Sequence, residues 1–193
     1  MKNPFTVRNM PFIASLAAIE IVLQIIGNYI ALGPVSINLS LVPIGIGAML
    51  FGPWVGLFLG LINSLFVLLS PFTAAFYNVS VVGTFVTCIV KSSVAGFGGG
   101  LIYMLLKRHN KFVASIVTLV SLPIINTGLF VVGCLIFFVP LLETASAGYT
   151  NIYEYLFIVM CGWNFIFEIS TSVILSYPIY RLVNLYDTKF RIE

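Results

Sequence analysis

Three ionisable side chains stand inside long apolar runs: Glu20 in FIASLAAIEIVLQIIGNYIA, Lys91 in TFVTCIVKSSVAGFGGGLIY and Glu168 in GWNFIFEISTSVIL. A charged group at the middle of a bilayer costs about 2.5 to 3.5 kcal/mol on insertion scales, so each of them needs a partner or a water-filled cavity. Two roles are open to Lys91. It forms an ion pair with Glu20 or Glu168 that fixes helix packing, or it meets an anionic ligand. A compact ammonium attracts a carboxylate far more strongly in a low dielectric than in water.

Asn28, Asn38, Asn63, Asn78, Asn126 and Asn164 lie in or at the ends of the same apolar runs. A buried amide also needs hydrogen-bond partners. Asn28 and Asn63 read as interhelical hydrogen bonds. For Asn126 and Asn164 a ligand contact and a packing contact are both open. Asn164 and Glu168 are four apart and share a helix face.

These residues have to be positioned by elements suited to lipid. Of the 193 residues, 60% are hydrophobic and 8% charged, and the mean hydropathy is +1.11. A soluble domain carries roughly a quarter charged residues, so the bilayer is the solvent here. The expected fold is an all-α integral membrane protein, one domain with six transmembrane helices. The predicted spans are 12–31, 39–51, 55–70, 79–107, 112–139 and 153–185. The first is read as a span rather than a cleaved leader, because its apolar run is span-length and leads into another. The second is short. The fourth, at about 1.5 Å per residue, exceeds the hydrocarbon thickness and must tilt, kink or emerge.

Lys2 and Arg8 precede the first span, Lys107, Arg108 and Lys111 separate the fourth and fifth, and Arg181, Lys189 and Arg191 lie at or after the end of the sixth. An even number of spans puts these groups on one side. By the positive-inside rule both termini are cytoplasmic. The opposite loops carry no Lys or Arg, only the acids Glu143 and Glu154. Counting rise from the outer ends puts Lys91, Asn126 and Asn164 in the outer half or middle of three spans, with Asn38 and Asn78 at the outer loops. One outward-facing pocket is the reading.

The remaining chemistry is sparse. His109 sits in a basic loop, and there is no His-Glu-x-x-His, Gly-x-Ser-x-Gly or phosphate-binding Gly-x-x-x-x-Gly-Lys-Ser/Thr. No enzyme, cofactor or metal site is expected, and nothing supports nucleic-acid binding. Cys88, Cys134 and Cys161 read as small buried hydrophobes. Small residues four apart recur as Ala14 and Ala18, Gly56 and Gly60, and Gly96 and Gly100. Such faces let helices approach closely.

The pattern x-L-x-x-x-P-I-x-I-x-A-x-x-F-G-P-x-x-G, filled by Leu39, Pro43, Ile44, Ile46, Ala48, Phe51, Gly52, Pro53 and Gly56, resembles the substrate-binding S components of energy-coupling factor (ECF) vitamin transporters. The Ala14 and Ala18 pair in the first span fits the same resemblance, which covers nearly the whole chain. It implies a subunit that captures a water-soluble vitamin from outside and works with a transmembrane coupling (T) subunit and two ATPase subunits. It also implies Ala14 and Ala18 as partner-binding residues. LPIINTGLFVVGCLIFF, with Asn126 and Thr127, and GWNFIFE, with Trp163, Asn164 and Glu168, most resemble the pantothenate-type branch. Pyridoxine-, folate- or riboflavin-type S components and a stand-alone secondary carrier are the alternatives. The substrate-binding set is Lys91, Asn126, Asn164, Asn38, Asn78 and Glu168.

The orientation is testable without knowing the ligand. A cysteine placed at Ser36 or Tyr77 in a cysteine-free background is expected to react with an impermeant thiol reagent from the outside. Labelling from the cytoplasmic face alone would invert the topology.

Overall fold

A computed structural model describes residues 5–29, 38–149 and 151–190. Ala31, where the first span was predicted to end, and Ser36 in the following loop lie outside the described residues. All regular structure among the described residues is helical. Helix α1 spans Met10–Tyr29, α2 Leu41–Phe51 and α3 Pro53–Leu68. A 3-10 turn at Pro71–Thr73 leads into the short α4, Ala74–Tyr77. Helices α5, Val81–Leu106, and α6, Lys111–Phe137, are long. The last stretch comprises α7, Val139–Ala145, α8, Ile152–Glu154, a π-helical segment Tyr155–Gly162, and α9, Trp163–Phe190.

Four of these segments are long and apolar enough to cross a membrane alone: Met10–Tyr29, Val81–Leu106, Lys111–Phe137 and Ile152–Thr188. A fifth is formed if Pro53–Leu68 and Pro71–Tyr77, bent by 73°, act as one. The sixth predicted span is α2. Its 11 residues give about 16 Å at 1.5 Å of rise per residue, short of the hydrocarbon core. The chain is a multi-pass helical membrane protein, and α2 completes the bundle without crossing it by its own length.

The turn between α2 and α3 depends on Gly52. Its φ of 100° lies where a side chain is strained, and Pro53 then starts α3 at a position that needs no amide donor. From there α3 runs against α5 at backbone contact. A Cβ added to Gly56 would lie 2.8 Å from the Gly96 carbonyl carbon, and one added to Gly60 would lie 2.8 Å from that of Ser92. A Cβ on Gly100 would lie 2.6 Å from Pro53 Cα. The small-residue spacing predicted from sequence is therefore the α3–α5 seam.

Two apolar clusters sit at opposite ends of the bundle. One gathers Ile13, Ile44, Val55, Leu59, Leu119 and Val183, the other Phe76, Phe130, Phe138, Leu156 and Met160. At the first end Tyr186 packs edge-on against Phe12 and Phe51, with centroids 5.3 and 5.6 Å away, and Lys111 pairs with Asp187 at 2.9 Å. The start of α1, the end of α2, the start of α6 and the end of α9 thus meet there, bringing the basic stretches near Arg8, Lys111 and Arg181 to one end. Between the clusters lies a belt of buried polar side chains, where the site is found.

The seam gives a direct test. Gly56→Ala forces a methyl into the α5 backbone, and overpacking of this kind costs about 1 to 3 kcal/mol. Thermal unfolding in detergent is expected to show a clear drop in midpoint for Gly56→Ala, while Gly128→Ala, with no atom within 4 Å of its added Cβ, leaves it nearly unchanged.

Candidate functional site

The polar belt is built on short side chains that the close helices bring together. Because α3 and α5 touch at Gly60 and Ser92, Asn63, one turn beyond Gly60, meets Ser92: its Nδ2 donates to Ser92 Oγ at 3.1 Å. Ser92 Oγ lies 3.5 Å from Asn126 Oδ1 on α6. Ser64 Oγ lies within hydrogen-bond distance of the carbonyls of both Gly60 and Cys88, at 2.7 and 3.0 Å. The role predicted for Asn63, an interhelical hydrogen bond, is what it does. Asn28 likewise accepts from Ser70 Oγ at 3.1 Å, joining α1 to the end of α3.

Ser40, just before α2, is the hub of this network. Its hydroxyl lies within reach of Asn38 Oδ1, of Asn63 Oδ1 at 2.6 Å and of Gln24 Oε1 at 3.3 Å. A hydroxyl has one proton and two lone pairs. Asn63 has already committed its NH2 to Ser92, so its oxygen takes the Ser40 proton, and the Asn38 and Gln24 oxygens stand beside the hydroxyl as neighbouring acceptors. Through that bond one serine ties the end of the α1–α2 connection to α3 and, through Ser92, α5, with Gln24 of α1 packed beside it.

Next to this network two cavities share a wall. The larger encloses about 530 Å³ counting its open mouth and is lined by Gln24, Ser70, Thr84, Thr87 and four phenyl rings, those of Phe72, Phe76, Phe130 and Phe138. The smaller, of about 340 Å³, is lined by Asn126, Thr127, Met160, Cys161, Asn164 and Glu168. Asn38, Lys91 and Phe130 line both. Clefts lined mostly by apolar side chains with a few convergent polar groups are the usual form of a small-molecule site.

Lys91 stands on the dividing wall. It is ten residues, about 15 Å, along α5 from Val81, and it is 8% exposed. Its Nζ lies 4.8 Å from the centre of the Phe130 ring, a cation–π contact. It forms no ion pair with Glu20 or Glu168, neither of which comes within 4 Å. Glu20 is fully buried in α1, away from either cavity. Its carboxyl oxygens make no hydrogen bond; the Asn63 backbone approaches it without closing one of ordinary geometry. Glu168 accepts a hydrogen bond from the Asn38 backbone N–H at 2.9 Å through Oε1, and its Oε2 has no partner among the described residues.

Of the predicted ligand-binding residues, Lys91, Asn38, Asn126, Asn164 and Glu168 therefore converge, each below 10% exposure. Asn78 does not join them. It caps the end of α4, is exposed, and lines neither cavity. Ala14 and Ala18 are exposed on the outer face of α1, away from their own bundle. Sequence reasoning missed Gln24 and Ser40, and also the phenylalanines. Phe130 had a signal, since it lies four residues after Asn126 and so on the same face.

A family model described as the substrate-specific component of the ECF transporter matches residues 8–180. No curated protein and no solved structure gives a match. Helices that form a membrane bundle and a match spanning nearly the whole chain agree with each other, and the chain belongs to the family of ECF transporter substrate-specific components.

Proposed function

We propose that this protein is the membrane-embedded binding subunit of an ECF-type importer for an anionic water-soluble vitamin, with pantothenate the best fit. The vitamin enters from the side opposite the basic end of the bundle. A transmembrane coupling subunit and two ATPase subunits supply the energy. One observation carries the reading: a buried ammonium, Lys91, lines two adjoining cavities with an aromatic face as its neighbour and, among the described residues, no carboxylate within ion-pair distance. Such a charge is costly in a bilayer unless a counter-charge arrives. A ligand carboxylate would supply it, while Asn126 and Asn164 suit hydroxyl and amide groups. The six crossings and cytoplasmic termini belong to the same proposal.

The phenyl rings of Phe72, Phe76, Phe130 and Phe138 favour a second reading, a vitamin with a flat aromatic ring of the pyridoxine, folate or riboflavin type. Equilibrium binding of the purified protein to a panel of vitamins separates the two. Tight binding of pantothenate alone is the expected result, and selective binding of a ring-bearing vitamin would replace the assignment. Uptake without ATPase subunits would point instead to a stand-alone carrier.

Removing the charge tests the site itself. A hydrogen bond to a charged group contributes about 1.5 to 3 kcal/mol, so Lys91→Met is expected to raise the dissociation constant of a carboxylate vitamin about ten- to a hundredfold. The melting temperature is expected to change little, because no carboxylate is left alone. If Lys91→Met combined with Glu168→Gln or Glu20→Gln binds as tightly as the parent, Lys91 serves packing only.

The exposed small face of α1 suits a helix of the coupling subunit, since bulky side chains there would hold two helix axes apart. Ala14→Leu together with Ala18→Leu is expected to abolish co-purification with the partner subunits and uptake, while vitamin binding to the isolated protein stays as in the parent. Unchanged co-purification would remove that surface from consideration.

A further inference from the structure

Glu168 is a residue whose chemistry the anion reading leaves unused. It is 7% exposed, on α9, and it lines the smaller cavity beside Asn164 and Lys91. Its two oxygens are in different situations. Oε1 accepts the Asn38 backbone N–H at 2.9 Å, which fixes the orientation of the carboxyl group. Among the described residues Oε2 has no donor, and Lys91 Nζ is too far away to serve as one. A buried acceptor without a donor is costly, and Oε2 belongs to a group held in place at the wall of a cavity. Asn126, Thr127 and Asn164 complete a lining of neutral polar groups.

Resting on the reading of a carboxylate vitamin, we propose that Glu168 selects the ligand by accepting a hydrogen bond at Oε2 from a ligand O–H or N–H. The ligand class is then a monocarboxylate that carries a hydroxyl or amide donor at some distance from its carboxylate. Lys91, on the wall between the two cavities, takes the carboxylate. The donor-bearing part occupies the smaller cavity, and the apolar part lies under the phenyl rings of the larger one. A carboxylate lacking a donor leaves Oε2 unsatisfied and is rejected, which is the stronger form of specificity because it acts through an unpaired buried group in the site.

Glu168→Gln discriminates this from a purely structural role. Glutamine keeps a carbonyl oxygen for the Asn38 N–H, so the tie to Asn38 survives, but it then presents an NH2 group to the ligand where the parent presents an acceptor. A structural role predicts that Gln restores both melting temperature and binding. The selection role predicts that melting is kept while pantothenate binding weakens about ten- to a hundredfold.

The probes are pantothenate, its analogue with both hydroxyls O-methylated, and its analogue N-methylated at the amide, each titrated against parent and Glu168→Gln. The analogue that lacks the selected donor is expected to bind the parent at least about tenfold more weakly than pantothenate. In Glu168→Gln that loss should shrink to within about threefold, whereas losses due only to added bulk would be equal in both proteins. Equal losses for both analogues, or pantothenate binding by Glu168→Gln within about threefold of the parent, would overturn the proposal while leaving the vitamin reading in place. Failure of the parent to bind pantothenate at all would overturn both.

Discussion

In a bilayer a buried polar group has no water to fall back on, and this constraint orders the middle of the molecule. The polar side chains between the two apolar clusters are useful only if their hydrogen bonds close within the bundle. Gln24, Asn38 and Asn63 gather at Ser40, which is completely buried. Its contacts with Asn38, Asn63 and Gln24 join parts of the chain that share no backbone hydrogen bonds. Short side chains meet only where helix axes are close, and the closeness comes from Gly56, Gly60 and Gly96 on the α3–α5 seam. The hydrogen-bonded network and the glycine seam are thus one device. Widening the seam would pull Asn63 off Ser92.

That device occupies the side of α5 that faces α3, while α6 packs on another side. Asn63 and Gly60 on α3 engage Ser92 on α5, while Lys91, the adjacent residue, turns towards α6 and α9 at roughly 100° around the helix. The lysine is therefore held against the cavity by the packing of its neighbour. Phe130 of α6 covers it at 4.8 Å, and Glu168 of α9 stands close by but is tied to Asn38. The tie orients the acid without neutralising the lysine by contact, so positive charge and acceptor remain separate features of one cavity wall.

What was legible in the sequence follows from how local each cause is. Glycines four apart mark a close helix pair whatever the partner, and the α3–α5 seam uses those residues. Lys91, Glu168, Asn126 and Asn164 stood out because polar residues are rare in apolar runs, and they do converge. Asn78 stood out for the same reason but caps a short helix at the surface. Gln24 carried the same signal, a polar residue in the apolar run that also holds Glu20 and Asn28, and was passed over, whereas Ser40 gave none, since a serine at a helix start is ordinary. The stretch before Asn164 was hidden for another reason. Its buried residues fall in pairs five apart, Tyr155 and Leu156, then Met160 and Cys161, the spacing of a π-helix and not the 3.6 period on which a face is read from sequence.

Family and ligand are written in different parts of the chain. The residues that carry the family resemblance, among them Pro43, Ile44, Ala48, Pro53 and Gly56, are buried in α2, the following turn and α3, where they pack helices or shape a turn. None of them lines either cavity. The cavities take their polar lining from the first half of α5, the later part of α6 and the early part of α9, with further contributions from Gln24, Asn38, Ser70 and Thr73. A scaffold fixed at α2 and α3 tolerates changes on the facing helices as long as the seam and the Ser40 hub are kept. The residues that carry the family resemblance are thus packing residues, and the cavity lining is drawn from other positions.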